Sequence, residues 1–126
     1  MSSIVVPAHN EELLISNTLT HLLNQVNDDD EVIVITNGCT DKTYDVVNAF
    51  NNIYLINTET PSKTNALNLG ELQAKSFPRV YMDADIQLVD GAFKKIIETL
   101  LEGKLLAVSP IPKMDLSNST WFVKAY

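Results

Sequence analysis

The run Glu31–Thr36, EVIVIT, restricts the fold more than any other stretch of this chain. Val32, Ile33, Val34 and Ile35 are β-branched and follow one another without polar alternation, as in a strand covered by helices on both faces of a parallel sheet. Parallel neighbours need crossover connections of a dozen residues or more, usually helical. With 126 residues, the chain has room for several such units and for one core.

The rest of the sequence supplies them. Ser3–Ala8 (SIVVPA) reads as a first strand. Asn10 is placed to cap the helix that follows, with Glu11 and Glu12 in its first turn, where acids favour the helix dipole. Leu14, Ile15, Thr18, Leu19, Leu22, Leu23 and Val26 recur at helical spacing. After Glu31–Thr36, Asn37-Gly38 breaks the strand and Thr40 is placed to cap a helix from Asp41 to about Phe50. Ile53–Asn57 is a third strand, and Lys63 to about Ser76 a third helix. Arg79–Asp83 is a fourth strand. Asp90 is expected to cap a helix running to Glu102, which Gly103 ends, and Lys104–Ser109 is a fifth strand. The order predicts a three-layer α/β/α, Rossmann-like domain with a mostly parallel sheet and right-handed crossovers. Residues 1–110 form this domain, and 111–126 begin a further half or a tail.

Composition closes several other routes. A net charge of −7 argues against a general nucleic-acid-binding surface. The chain has no apolar run of the length that spans a bilayer, and its start lacks the basic region of a signal peptide. A single cysteine, Cys39, excludes an internal disulfide and fits a reducing, cytoplasmic setting. Two histidines far apart in sequence do not suggest a zinc cluster.

In open parallel sheets, ligands bind outside the carboxyl ends of the strands. Three polar clusters fall on that edge: Pro7-Ala8-His9-Asn10-Glu11, Asn37-Gly38-Cys39-Thr40-Asp41 and Asp83-Ala84-Asp85. Residues two apart on a strand point the same way, so Asp83 and Asp85 can converge on one point. Mn²⁺ or Mg²⁺ suits such a pair, completing its shell with substrate phosphate oxygens. The plainer reading is a solvated acidic loop. Asn37 offers donors and an acceptor to a nucleobase edge, or merely completes its turn. Lys63 opens a helix where backbone amides also attract anions, or simply faces solvent. His9 and Cys39 have no visible catalytic partner. No glycine-rich phosphate loop of the P-loop or dinucleotide type occurs.

Taken in order, IVVPAHNEE, VIVITNGCTDKT, KTNALNLG and VYMDADIQL resemble the donor half of family 2 glycosyltransferases of the GT-A fold. The likeness runs from Ile4 to about Pro110. It implies a site for a nucleotide-diphosphate sugar of UDP or GDP type, with Pro7, Ala8, Glu11, Asn37, Lys63 and Asp83 around the nucleotide. It also implies that Asp85, assisted by Asp83, ligates the metal under the diphosphate. Asn37 stands where the family commonly has aspartate. The family's acceptor half and catalytic carboxylate have no counterpart here. Glu98, Glu102 and Asp115 match no motif, so the catalytic base is unassigned. Apolar residues in Trp121–Tyr126 then favour a second copy or a partner chain.

The expectation is therefore a metal-dependent glycosyltransferase fragment that binds donor. The alternative is a stand-alone nucleotide-binding module that transfers nothing by itself. A phosphoacceptor receiver would need a carboxylate at the end of the third strand, where this chain has Asn57.

Overall fold

The structure is a computed structural model that describes residues 1–103. The chain divides into two units, Met1–Phe93 and Lys94–Tyr126. The first contains strands β1 (Ser3–Ala8), β2 (Glu31–Asn37), β3 (Tyr54–Thr58) and β4 (Arg79–Tyr81), and helices α1 (Ile15–Leu23), α2 (Thr43–Asn48) and α3 (Lys63–Gln73). Helix α4 (Ala92–Glu102) starts within it and lies mainly in the second unit. The expected fifth strand and the segment 111–126 lie outside the described residues.

All pairings are parallel, and the sheet order is β3-β2-β1-β4. That order fixes the layers. From β1 to β2 to β3 the chain steps in one direction, so right-handed crossovers put α1 and α2 on one face. From β3 it returns across β2 and β1 to β4, which puts α3 on the other. Side-chain alternation agrees: Val5, Ile33 and Ile35 pack with Ala66 and Ala74. Their neighbours Ile4, Val6 and Val34 are equally buried, and belong to the layer holding Ile15, Leu19, Leu22 and Val47. The central strands are thus covered on both faces, as the unbroken apolar run required.

Gly70 marks the closest approach of α3 to the sheet. A Cβ there would lie 2.3 Å from Val5 Cγ1 and 2.9 Å from Ile35 Cδ1. Helix α3 is sited by Ser62, whose side chain accepts a hydrogen bond from the Asn65 amide at 3.2 Å.

Two expected caps are corrected. Asn10 has φ 50° and lies five residues before α1, whose first turn contains no acidic residue. Its Oδ1 instead accepts from the Thr40 amide at 2.8 Å, which binds the β1 and β2 loops together. Asparagine tolerates this left-handed conformation because its short polar side chain can bond locally. Thr40 is occupied by that contact, and α2 begins only at Thr43 after Asp41 accepts from the Thr43 amide at 2.9 Å. Strand β4 also stops early, at Tyr81, with one further bond from the Met82 amide to the Val5 carbonyl at 3.0 Å.

Candidate functional site

The strand order reverses between β1 and β4, which makes their carboxyl ends the switch point where an open α/β sheet leaves a crevice. A cavity of about 400 Å³ lies there, lined by Pro7, His9, Glu11, Asn37, Pro61, Lys63, Asp83, Ala84 and Asp85. Its size is within the usual range for small-molecule sites. Six residues singled out in the sequence (Pro7, Glu11, Asn37, Lys63, Asp83 and Asp85) share this cavity.

Ala8 does not line it. It is 1% exposed, and its carbonyl accepts from Asn37 Nδ2 at 3.1 Å and from Cys39 Sγ at 3.4 Å. Asn37 is the last residue of β2 rather than the first of the turn. Its backbone carbonyl accepts from His9 Nδ1 at 2.7 Å. A carbonyl can only accept, so Nδ1 carries a hydrogen directed at it.

The β1 and β2 loops are laced together by backbone donors. The Glu11 amide donates to Thr43 Oγ1 at 2.8 Å, the Glu12 amide to Asp41 Oδ2 at 3.3 Å, and the Lys42 amide to Glu12 Oε2 at 3.1 Å. Gly38 completes this wall. With φ 59° and a would-be Cβ only 2.5 Å from Pro61 Cβ, it is where Pro61 can close on the β2 turn.

Asp83, Ala84 and Asp85 follow β4 as a turn, not as a continuation of the strand. Ala84 is buried between the two acids, at 4% exposure. Lys63 Nζ lies 2.7 Å from Asp83 Oδ1, the positive partner that two neighbouring carboxylates call for. Glu11 registers the remaining surplus of negative charge. Burial first, then the carboxylates of Asp85 and Asp41 and more weakly that of Asp83, raise its carboxyl above the ordinary value of 4.5, against an opposing pull from His9.

Sequence reasoning missed Pro61 as a wall and His9 as the anchor of the Asn37 backbone. It also read Thr18 only as part of the buried stripe of α1. The first two gave no local signal, because their partners are distant in sequence. The third did, as a hydroxyl among apolar positions.

A parallel sheet with a polar, carboxylate-lined cavity at its switch point defines an open-sheet α/β protein. Comparison gives the family: residues 3–125 match the model for glycosyl transferase family 2, and the chain belongs to that family. A Bacillus subtilis (strain 168) protein named as a probable glycosyltransferase, YdaM, is 34% identical over 93 residues, which are 66% of this chain and 22% of that protein. The structure of S. aureus TarS 1-349 in complex with UDP superposes with a TM-score of 0.72 at 24% identity, over 80% of this chain and 32% of that one. The mannosyltransferase PcManGT from Pyrobaculum calidifontis, in complex with GDP-Man and Mn²⁺, gives 0.70 at 27% identity, over 79% and 32%. The fold is therefore the α/β fold of GT-A glycosyltransferases, and the chain spans between about a fifth and a third of the length of these proteins. Among the described residues no helix is long and apolar enough to cross a membrane.

Proposed function

We propose that this chain is the donor-binding part of a metal-dependent glycosyltransferase and that its cavity takes a nucleotide-diphosphate sugar of UDP or GDP type. The observation that carries this reading is the convergence of Glu11, Asn37, Lys63, Asp83 and Asp85 on one cavity at the strand-order reversal. The nucleotides and Mn²⁺ bound by TarS and PcManGT support it.

The residues fit a hard divalent cation. The cavity gathers three carboxylates, and Glu11 holds its proton more tightly than usual, first because it is partly buried and then because Asp85, Asp41 and Asp83 repel its charge. Among the described residues no group of three His, Cys, Asp or Glu side chains is arranged to hold a metal. Asp83 and Asp85 would therefore hold Mn²⁺ or Mg²⁺ with waters and diphosphate oxygens completing the shell. The ion would offset negative charge developing on the departing diphosphate.

The chain's own residues do the rest. Lys63, first in α3, adds a cation where the helix amides already favour phosphate. Asn37, held by the Ala8 carbonyl, meets the base, and Pro7 and Pro61 supply apolar wall. Glu98 and Glu102 lie on α4.

The test is calorimetric titration with UDP, GDP and dTDP, with and without Mn²⁺, on the wild-type chain and on Asp85→Ala. Mn²⁺-dependent binding of one nucleotide that disappears in Asp85→Ala is expected. A folded wild-type protein that binds none of the three nucleotides overturns the proposal.

A further inference from the structure

The turn that carries the two acids is fastened from behind by one face of α1. Thr18 is 2% exposed among Ile15, Leu19 and Leu22, where a valine of the same shape would bury only methyl groups. A hydroxyl in such a row is unfavourable unless it is hydrogen-bonded. Its partner is the carbonyl of Ala84, 2.8 Å from Thr18 Oγ1 and buried with it. The bond thus reaches the residue between Asp83 and Asp85.

Two more α1-side residues continue the row. His21 Nδ1 donates to the Asn17 carbonyl at 2.8 Å, which leaves Nε2 to accept from Gln87 Nε2 at 3.2 Å. Gln25, just past the helix, donates through Nε2 to the Leu88 and Val89 carbonyls at 3.3 and 3.0 Å, and its Oε1 accepts from the Phe93 amide at 3.0 Å. Positions 18, 21 and 25 share one side of a helical turn pattern. The acid turn itself has little internal support: the Ile86 amide reaches the Asp83 carbonyl only at 3.3 Å.

We infer that Thr18 is a positioning residue: its hydroxyl holds the Ala84 carbonyl inward, so that Asp83 and Asp85 are both presented to the cavity. Strand β4 ends at Tyr81, so strand geometry does not aim the two carboxylates. The pinned alanine between them does. A chain that turns inward at Ala84 sends its flanking side chains outward, and Asp85 is indeed exposed while Ala84 is not. The consequence for ligand binding rests on the donor-site reading above, whereas the fastening of the turn does not.

The test compares Thr18→Val, which keeps the shape and loses the hydroxyl, with Thr18→Ser, which keeps the hydroxyl. Amide hydrogen exchange of Ile86, whose amide bonds the Asp83 carbonyl across the turn, reports the turn in the ligand-free protein, because local opening is read separately from global unfolding. Thr18→Val is expected to speed this amide about tenfold, the factor that goes with one buried hydrogen bond. Amides of β1 and β2 should keep their wild-type rates, and Thr18→Ser should stay within about twofold of wild type at the turn. In titrations with Mn²⁺ plus UDP or GDP, Thr18→Val should weaken binding by a similar factor and Thr18→Ser should restore it. Unchanged exchange in Thr18→Val overturns the inference, as does a serine variant that behaves like the valine one. If the wild type binds Mn²⁺ and nucleotide, Asp85→Ala does not, and Thr18→Val binds as the wild type does, the inference also falls while the donor reading stands. If the wild type binds no nucleotide, the donor reading falls and the exchange rates alone decide the role of Thr18.

Discussion

Replacing Lys63 with methionine should move two affinities in opposite directions. Lys63 Nζ sits 2.7 Å from Asp83 Oδ1, with the two side chains 63% and 46% exposed. A pair that exposed is screened by water and holds only about 0.2–1 kcal/mol. A divalent cation approaching Asp83 without nucleotide must displace this ammonium group. In Lys63→Met it need not, so Mn²⁺ alone should bind more tightly, by up to about fivefold. With nucleotide present, the same ammonium group can turn from Asp83 to the diphosphate. A charge-assisted hydrogen bond of that kind contributes about 1.5–3 kcal/mol. Its loss should weaken Mn²⁺-nucleotide binding by one to two orders of magnitude. Free Mn²⁺ is counted by its electron paramagnetic resonance signal in the first titration, and heat is measured with UDP or GDP in the second. Raising salt should shrink the first effect, because exposed charges are screened within about 10 Å at 0.1 M. Weaker binding of Mn²⁺ alone in Lys63→Met would refute the reasoning, since a displaced cation cannot help its competitor.

Two further substitutions test the frame and the charge balance. Gly70→Ala places a methyl group 2.3 Å from Val5 Cγ1, and overpacking of this kind costs about 1–3 kcal/mol. Thermal unfolding should fall by several degrees, and pairing the change with Val5→Ala should recover part of the loss; an unshifted midpoint would mean that α3 packs less closely on β1. Glu11→Gln tests the acid surplus. Because the folded-state pKa of Glu11 is raised above 4.5 by burial, Asp85 and Asp41, its ionisation costs stability, with no penalty below 4.5 and the full penalty once pH has risen through the folded value. Glu11→Gln should therefore unfold at higher urea than wild type at pH 7 and at nearly the same urea at pH 4, and a gap that does not change with pH would contradict the assignment.

The sheet was legible because its signal is local. The apolar runs at β1 and β2 and the helical stripe at Ile15, Leu19 and Leu22 are written in consecutive residues, and the structure keeps β1 with the expected bounds. The gathering of Glu11, Asn37, Lys63, Asp83 and Asp85 was legible for a different reason. A parallel sheet puts the residue after every strand on one edge, so topology alone brings them together. What could not be read is how the loops are fastened. Asn10 has every local mark of a cap, yet its oxygen goes to the Thr40 amide thirty positions away. Asp83-Ala84-Asp85 has the spacing of a strand end, yet its aim comes from a helix hydroxyl rather than from the pleat. In each case a long-range partner outbids a local preference, and propensity cannot register a partner that the fold has yet to supply.

The same distinction bears on Asn37, where the family-like pattern commonly has an acid. An amide and a carboxylate differ at one end only: the amide nitrogen donates where the carboxylate can only accept. Here that end is committed inward, to the Ala8 carbonyl at 3.1 Å, in a residue only 4% exposed. An aspartate would put a charged oxygen against that carbonyl, so the asparagine suits the way this β1 loop is built. The end left for a ligand is the oxygen, an acceptor like the one a carboxylate would present. Under the donor-site reading the substitution therefore preserves acceptance from a ring N–H of the base while removing a negative charge from a cavity that already strains to hold Glu11 ionised. Uracil and guanine both present such an N–H, so the Asn37 oxygen by itself does not separate these two bases.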